Sequence, residues 1–186
     1  MASHEFAENG FQKASYNTII EKCGLSKGVM YYYFDDKRDL FNTILNEANE
    51  SYLDYIGTWK PTDSKPKFWK QVKEIFHKSV AFFKEDPRAA RLVAMSLKSP
   101  DVLSETYRQL EQSSSAWFSF VLGEGQKVKA VREDIPMDYL VMLVFGFGQA
   151  SDQWMLSKWQ SKKEEELLED IEMVFNIFKQ FLSPQK

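Results

Sequence analysis

Ser26, Lys27 and Gly28 are followed by three consecutive tyrosines, Tyr31 to Tyr33, and then by Lys37. A lysine ammonium and phenol hydroxyls donate hydrogen bonds to phosphate oxygens or base edges, and a glycine among them lets backbone approach a polyanion closely. Little else in the chain carries chemistry. There are two histidines, His4 and His77, and one cysteine, Cys23, too few and too scattered for a zinc cluster or a Cys/His nucleophilic pair. His77 reads as a satisfied pocket or core residue. The acidic pairs Asp35–Asp36 and Glu133–Asp134 read as caps and solvated turns. The run from Leu140 to Ser151 mimics a strand entering a glycine-rich loop, but it lacks the third glycine and no alternating strand–helix series surrounds it, so a dinucleotide site is rejected. No cofactor or metal is called for, and no enzyme is expected.

These residues need elements to hold them. Gly and Pro divide the chain into helix-length segments with 3.6-residue periodicity, and no alternating stretch suggests a sheet. The first segment, about Ala2 to Glu8, ends at Asn9 and Gly10, the glycine suiting a left-handed stop. Ser15 caps a helix from Tyr16 to Cys23, closed by Gly24, and Ser26 caps another to about Phe34. That outline is a helix-turn-helix. In the second of its helices Met30 and Phe34 point inward toward Ile19, Ile20 and Leu25, leaving Lys27, Gly28, Tyr31 and Tyr32 on the opposite side. The helix starts at Tyr16 and Lys37 add backbone N–H groups suited to phosphates.

Asp36 opens a long fourth helix in which Leu40, Phe41, Ile44, Leu45 and Ala48 recur, reaching Ile56 and long enough to bridge two domains. After a linker from Gly57 to Pro66, Phe68, Trp69, Val72, Ile75, Phe76, Val80 and Phe83 form one stripe, interrupted at Asp86–Pro87. Ser99 and Pro100 suggest a helix ending near Leu122, before Gly123 and Gly125. A helix from Pro136 is apolar on nearly every face from Tyr139 to Phe147 and is expected to be buried on several sides. The last helix opens on a Ser161–Glu164 capping pair and carries two stripes. Leu167, Ile171, Val174, Phe178 and Phe181 form one, and Leu168, Phe175 and Leu182 form the other.

The stretch Gly10-Phe11 … Ser15 … Ile19 … Gly24-Leu25-Ser26-Lys27-Gly28-Val29-Met30-Tyr31-Tyr32-Tyr33-Phe34 … Lys37 … Leu40 closely resembles the amino-terminal DNA-binding domain of the TetR family of transcriptional repressors. The resemblance covers about the first fifty residues, Ala2 and Phe6 included. It implies Ser15, Asn17, Lys27, Gly28, Tyr31, Tyr32, Tyr33 and Lys37 as DNA contacts, with Tyr33 partly core. It further implies an all-α protein. A three-helix helix-turn-helix domain, residues 1–48, is joined by a long helix to a helical ligand-binding and dimerisation domain, residues 49–186. The implied partners are a palindromic double-stranded operator, a second copy of the chain docked through the two C-terminal helices, and a small-molecule effector that releases the DNA. In that dimer Gly146 and Ala150 allow close helix approach and the second stripe of the last helix faces the partner.

Composition constrains these expectations. Of 186 residues, 44% are hydrophobic and 27% charged, which excludes disordered and collagen-like chains. The formal charge is −3, so any nucleic-acid case must be local. The first fifty residues hold five basic and eight acidic side chains, but between Gly10 and Phe34 three lysines face Glu21 alone. The weak local charge keeps a second reading open, a helical small-molecule-binding or scaffold protein whose helix-turn-helix no longer binds DNA. The remaining residues carry all five Trp and eleven of the fifteen Phe. Such aromatics fill a helical core, or line an apolar ligand site between helices. On the second view Trp69, Phe76, His77, Phe83, Trp117, Phe118, Phe120, Met142, Phe145 and Trp154 are the ligand-binding candidates, for a hydrophobic or aromatic molecule. A single cysteine and the lack of an apolar leader or a membrane-length apolar run favour a cytoplasmic location with no membrane partner.

Overall fold

The computed structural model describes residues 1–89, 91–92, 106–158 and 163–185, and every regular element among them is helical. In chain order these are α1 (Ala2–Lys13), α2 (Tyr16–Cys23), α3 (Lys27–Tyr33), α4 (Lys37–Ile56), α5 (Lys65–Glu85), α6 (Thr106–Lys127), α7 (Met137–Lys158) and α8 (Glu164–Leu182), with further helical residues at 87–89 and 91–92. Packing divides the chain into two compact units. The first is Met1–Tyr55 with Phe82–Gln109, and the second Ile56–Ala81 with Leu110–Lys186.

The first unit follows its caps. Within α1 the helix breaks at Gly10, whose φ of 72° and ψ of 162° belong to a region only glycine occupies without strain. The chain then recovers one more turn to Lys13, so the element extends past the stop expected at Asn9. Ser15 Oγ accepts from Thr18 N at 3.3 Å and Ser26 Oγ from Val29 N at 3.2 Å, capping α2 and α3. Gly24, left-handed at φ 67°, ends α2, and the Leu25 amide reaches back to the Ile20 carbonyl. Asp36 Oδ1 accepts from Asp39 N at 2.8 Å to open α4. These ends bring Phe6, Ile19, Ile20, Met30, Leu40, Phe41 and Leu45 into one core, which Leu92 joins. In this unit Phe82, not Phe83, is the buried member of the α5 pair, wedged edge-on against Tyr52 and Tyr55.

The second unit is built on Phe68, Trp69 and Val72 of α5, Val121 and Leu122 of α6, Leu140, Val141 and Val144 of α7, and Phe175, Phe178 and Leu182 of α8. Several expectations are corrected here. Helix α6 runs through Gly123 and Gly125 to Lys127 because Gly125 has a packing role. A Cβ there would lie 2.5 Å from Val131 Cγ2 and 2.6 Å from Phe68 Cζ. Helix α7 is buried on one side, with Tyr139 and Met142 exposed, and among the described residues nothing beyond its own stretch of helix lies within 4 Å of the position a Cβ would take at Gly146. Most of both stripes of α8 turns into its own unit: Leu167, Ile171, Val174 and Phe178 are buried, and so are Phe175 and Leu182 of the second stripe, whose third member, Leu168, is exposed. Lys163 is the N-cap of α8, its amide bound by Glu166 Oε2 at 3.1 Å. Ser161, Ser99 and Pro100 lie outside the described residues.

Candidate nucleic-acid interface and apolar cavity

Helix α3 is anchored by one residue and otherwise faces water. Met30 is 2% exposed, whereas Lys27, Gly28, Tyr31, Tyr32 and Tyr33 are all exposed, Tyr32 at 81%. Leu25 and Val29 are exposed as well, so Leu25 does not pack beneath Met30 as its apolar character suggested, and Tyr33 stands clear of the core. The three tyrosines form a fence of aromatic edges: Tyr31 meets Tyr16 at 5.4 Å between ring centres and Tyr32 meets Tyr33 at 5.0 Å. Tyr16 donates its hydroxyl to the Phe34 carbonyl at 3.3 Å, tying the end of α3 to α2, and burial raises its pKa, keeping the phenol a donor. Ser15 and Asn17 are exposed at the start of α2.

The charges are distributed in a way composition cannot reveal. Glu5 is buried and bound by Lys22 Nζ at 2.6 Å and Asn9 at 2.8 Å; the lysine holds its carboxyl below the ordinary range. Glu8 pairs with Arg91 Nη1 at 2.6 Å and with His4 at 4.0 Å. Two acidic groups of the first unit are thus paired, and Lys22, one of the three lysines between Gly10 and Phe34, is taken up by Glu5. Lys37 is held by backbone rather than by a carboxylate. Its ammonium donates to the carbonyls of Phe11 at 2.8 Å, Ala14 at 2.9 Å and Gln12 at 3.4 Å, and lies 4.6 Å from the centre of the Phe11 ring. It is a structural cation joining α4 to the segment between α1 and α2.

The second unit encloses a cavity of about 70 Å³ with no polar surface. Of the ten aromatic and apolar candidates, Trp69, Phe76, Trp117 and Phe118 line it. Phe145 packs edge-on to Phe118 at 6.4 Å, behind the wall. Phe83 lies in the first unit, stacked on Tyr52. His77 faces outward to Glu172 Oε1 at 3.3 Å, beside Lys73 at 2.7 Å from the same oxygen, and these two neighbours, Lys73 foremost, hold the Glu172 carboxyl below its ordinary value. Phe120 and Met142 are on the surface, and Trp154 packs beside Met155 with Lys158 over its ring at 4.3 Å. Periodicity missed Trp59, which sits in the linker before α5 yet lines the cavity and packs on Phe68 at 5.4 Å. A lone Trp in a polar, Pro-containing linker is the signal that pointed to it. A larger concavity, about 310 Å³, is an open polar groove along Pro61, Asp63, Lys67 and Glu74, where water competes for every partner.

A family model described as bacterial regulatory proteins, tetR family, matches residues 1–44. The nucleoid occlusion factor SlmA of Haemophilus ducreyi is 23% identical over 87 residues, which are 47% of this chain and 42% of that protein; the chain thus spans less than half the length of the curated relatives it matches. Among solved structures, a tetR family transcription regulator from Shewanella sp. PV-4 superposes with a TM-score of 0.79 at 15% identity, covering 99% of this chain and 95% of that one. The fatty acid degradation regulator FadR of Bacillus halodurans superposes with a TM-score of 0.67 at 18% identity, covering 97% and 95%. Among the described residues no helix is long and apolar enough to cross a membrane.

Proposed function

We propose that this chain, a member of the TetR family through its amino-terminal domain, is a transcriptional repressor that binds a palindromic operator through α3 and leaves it when a small hydrophobic molecule enters the cavity of its second unit. One observation carries the DNA half: Lys27, Gly28 and three tyrosines stand exposed around a helix whose one buried residue is Met30. Exposing three large aromatic side chains to water has no benefit for folding; against a major groove their hydroxyls find phosphates and base edges. In this reading residues 1–48 meet DNA and residues 49–186 sense the ligand and dimerise. The effector half rests on the apolar cavity and its aromatic wall. At about 70 Å³ it is smaller than the sites that hold drug-sized ligands, roughly 300–1,000 Å³, so ligand entry spreads its walls. A ligand that prefers the spread state lowers operator affinity by its differential affinity for the two states. The fatty acid degradation regulator of similar fold adds an acyl chain to the aromatic molecules worth testing.

The dimer is proposed through α7 and α8. Tyr139, Met142, Gly146 and Ala150 are exposed at helical spacing along α7, and Met173 and Ile177 are exposed on α8. Contiguous apolar surface of this kind is uncommon on monomers, and a twofold dimer matches a palindromic site. Selection of bound duplexes from a random pool tests the DNA half. A palindromic consensus whose affinity falls steeply with salt is expected, with Lys27→Ala lowering the slope by about one unit. The −3 charge of the first fifty residues favours the second reading, a helical ligand-binding protein without DNA affinity; failure to enrich any sequence at low salt selects it.

A further inference from the structure

Two tryptophans on the wall of the apolar cavity share an unusual property. Trp69 is 4% exposed, and its indole Nε1 is buried without an acceptor among the described residues. Trp59, on the same wall, has a buried Nε1 in the same condition. Both rings pack edge-on to Phe68, at 5.4 Å for Trp59 and 5.1 Å for Trp69. Buried indole N–H groups ordinarily find a partner, because an unmade hydrogen bond leaves the donor's loss of water uncompensated. Both side chains face the small cavity through carbon, their N–H groups sealed behind its apolar surface, so these two donors meet an acceptor only when the wall is displaced.

We propose that the cavity takes an uncharged ligand, an aromatic or aliphatic body carrying one hydrogen-bond acceptor such as a ketone, ester, amide or ether oxygen, which the Trp59 and Trp69 N–H groups receive when the walls part. This rests on the reading of the cavity as the effector site. The absence of charge follows from the surroundings. No cationic side chain lines the cavity. Two lysines lie over rings of the same core, Lys73 at 5.8 Å from the Phe175 centre and Lys179 at 5.9 Å from the Trp69 centre, and Lys73 is already bound to Glu172. A carboxylate drawn into this space would be desolvated with neutral donors only, whereas a carbonyl loses little and satisfies donors that are otherwise orphaned.

Acetophenone, cumene and benzoate share a ring and similar size and differ in the acceptor and its charge. They are titrated into the full chain labelled with ¹⁵N at tryptophan, with Val72 and Val121 methyl signals reporting occupancy. Acetophenone is expected to move two indole proton signals downfield, assigned through Trp59→Phe and Trp69→Phe, while cumene shifts the methyl signals alone. Trp69→Phe should weaken acetophenone about three- to tenfold and leave cumene unchanged. Equal effects of the two neutral probes on the indole signals, or an unaltered acetophenone-to-cumene affinity ratio in Trp69→Phe, would overturn the acceptor inference and leave the cavity reading intact. Tighter binding of benzoate than of acetophenone at neutral pH overturns the requirement for an uncharged ligand. Methyl signals unmoved by any of the three would remove the effector site itself. The wild-type comparison needs no variant to fold.

Discussion

Two glycines of one helix predict opposite outcomes for the same substitution. At Gly123 an added Cβ meets nothing within 4 Å, so Gly123→Ala gains helix propensity, about 0.5–1 kcal/mol, at no steric cost. At Gly125 the added carbon would stand 2.5 Å from Val131 Cγ2, 2.6 Å from Phe68 Cζ and 2.8 Å from Phe68 Cε2. Carbon pairs rest at about 3.5–4 Å, so both partners must move by roughly an ångström. Neither is free to do so: Val131 and Phe68 are each 1% exposed. Overpacking of this size costs about 1–3 kcal/mol, and the propensity gain offsets part of it, giving a net loss of about 1–2 kcal/mol for Gly125→Ala. All five tryptophans fall within the sequence range of the second unit, so urea titration followed by tryptophan fluorescence reads the stability of the unit that holds both glycines. A further change, Val131→Ala on the Gly125→Ala background, removes one of the two clashes and should recover part of the loss. The reasoning is refuted if Gly125→Ala proves as stable as Gly123→Ala, since close packing against Phe68 and Val131 is present at the first site and absent at the second.

Lys37→Met removes an ammonium that serves three carbonyls, so it should destabilise the first unit by about 1.5–3 kcal/mol in DNA-free protein, whereas Lys27→Ala should leave denaturation unchanged; thermal unfolding by circular dichroism separates the two. Because Lys22 lowers the folded pKa of Glu5, this carboxylate adds stability in full above the ordinary value of about 4.3, and the contribution disappears as pH falls through the lower folded value. The stability gap between wild type and Glu5→Gln should therefore be wide near neutrality and close in acid, and a gap independent of pH would contradict the pairing. Met142→Glu places a charge on the exposed stripe of α7 and should convert a dimer to monomer in light scattering while tryptophan fluorescence stays native; a dimer of unaltered mass moves the interface elsewhere.

The caps made the first unit legible. Ser15, Gly24, Ser26 and Asp36 place the ends of α2, α3 and α4 within a residue, because each acts through bonds to backbone a few positions away. What the sequence could not convey is the destination of long-range partners. Lys37 and Lys27 read alike as surface cations, yet one is consumed by carbonyls more than twenty residues back in the chain. Glycine was misread at Gly125 for the same reason: as a helix stop it is a local signal, while its actual neighbours, Phe68 and Val131, come from other segments. Double apolar stripes on α8 suggested two partners, and the second unit itself covers much of both, Phe147 packing on Phe178, Trp69 on Phe175 and Phe76 on both. Trp59 escaped notice because periodicity has nothing to say about a linker.

The ammonium of Lys37 makes the first turn of α4 and the peptide groups of Phe11, Gln12 and Ala14 a single mechanical piece. Ala14 directly precedes Ser15, the cap that sets the attitude of α2, and Tyr16 in turn clasps the last carbonyl of the tyrosine helix. The start of α4, the cap of α2 and the end of α3 are therefore joined by a continuous run of hydrogen bonds and one short peptide segment, a bonded route from the root of the long helix to the aromatic fence.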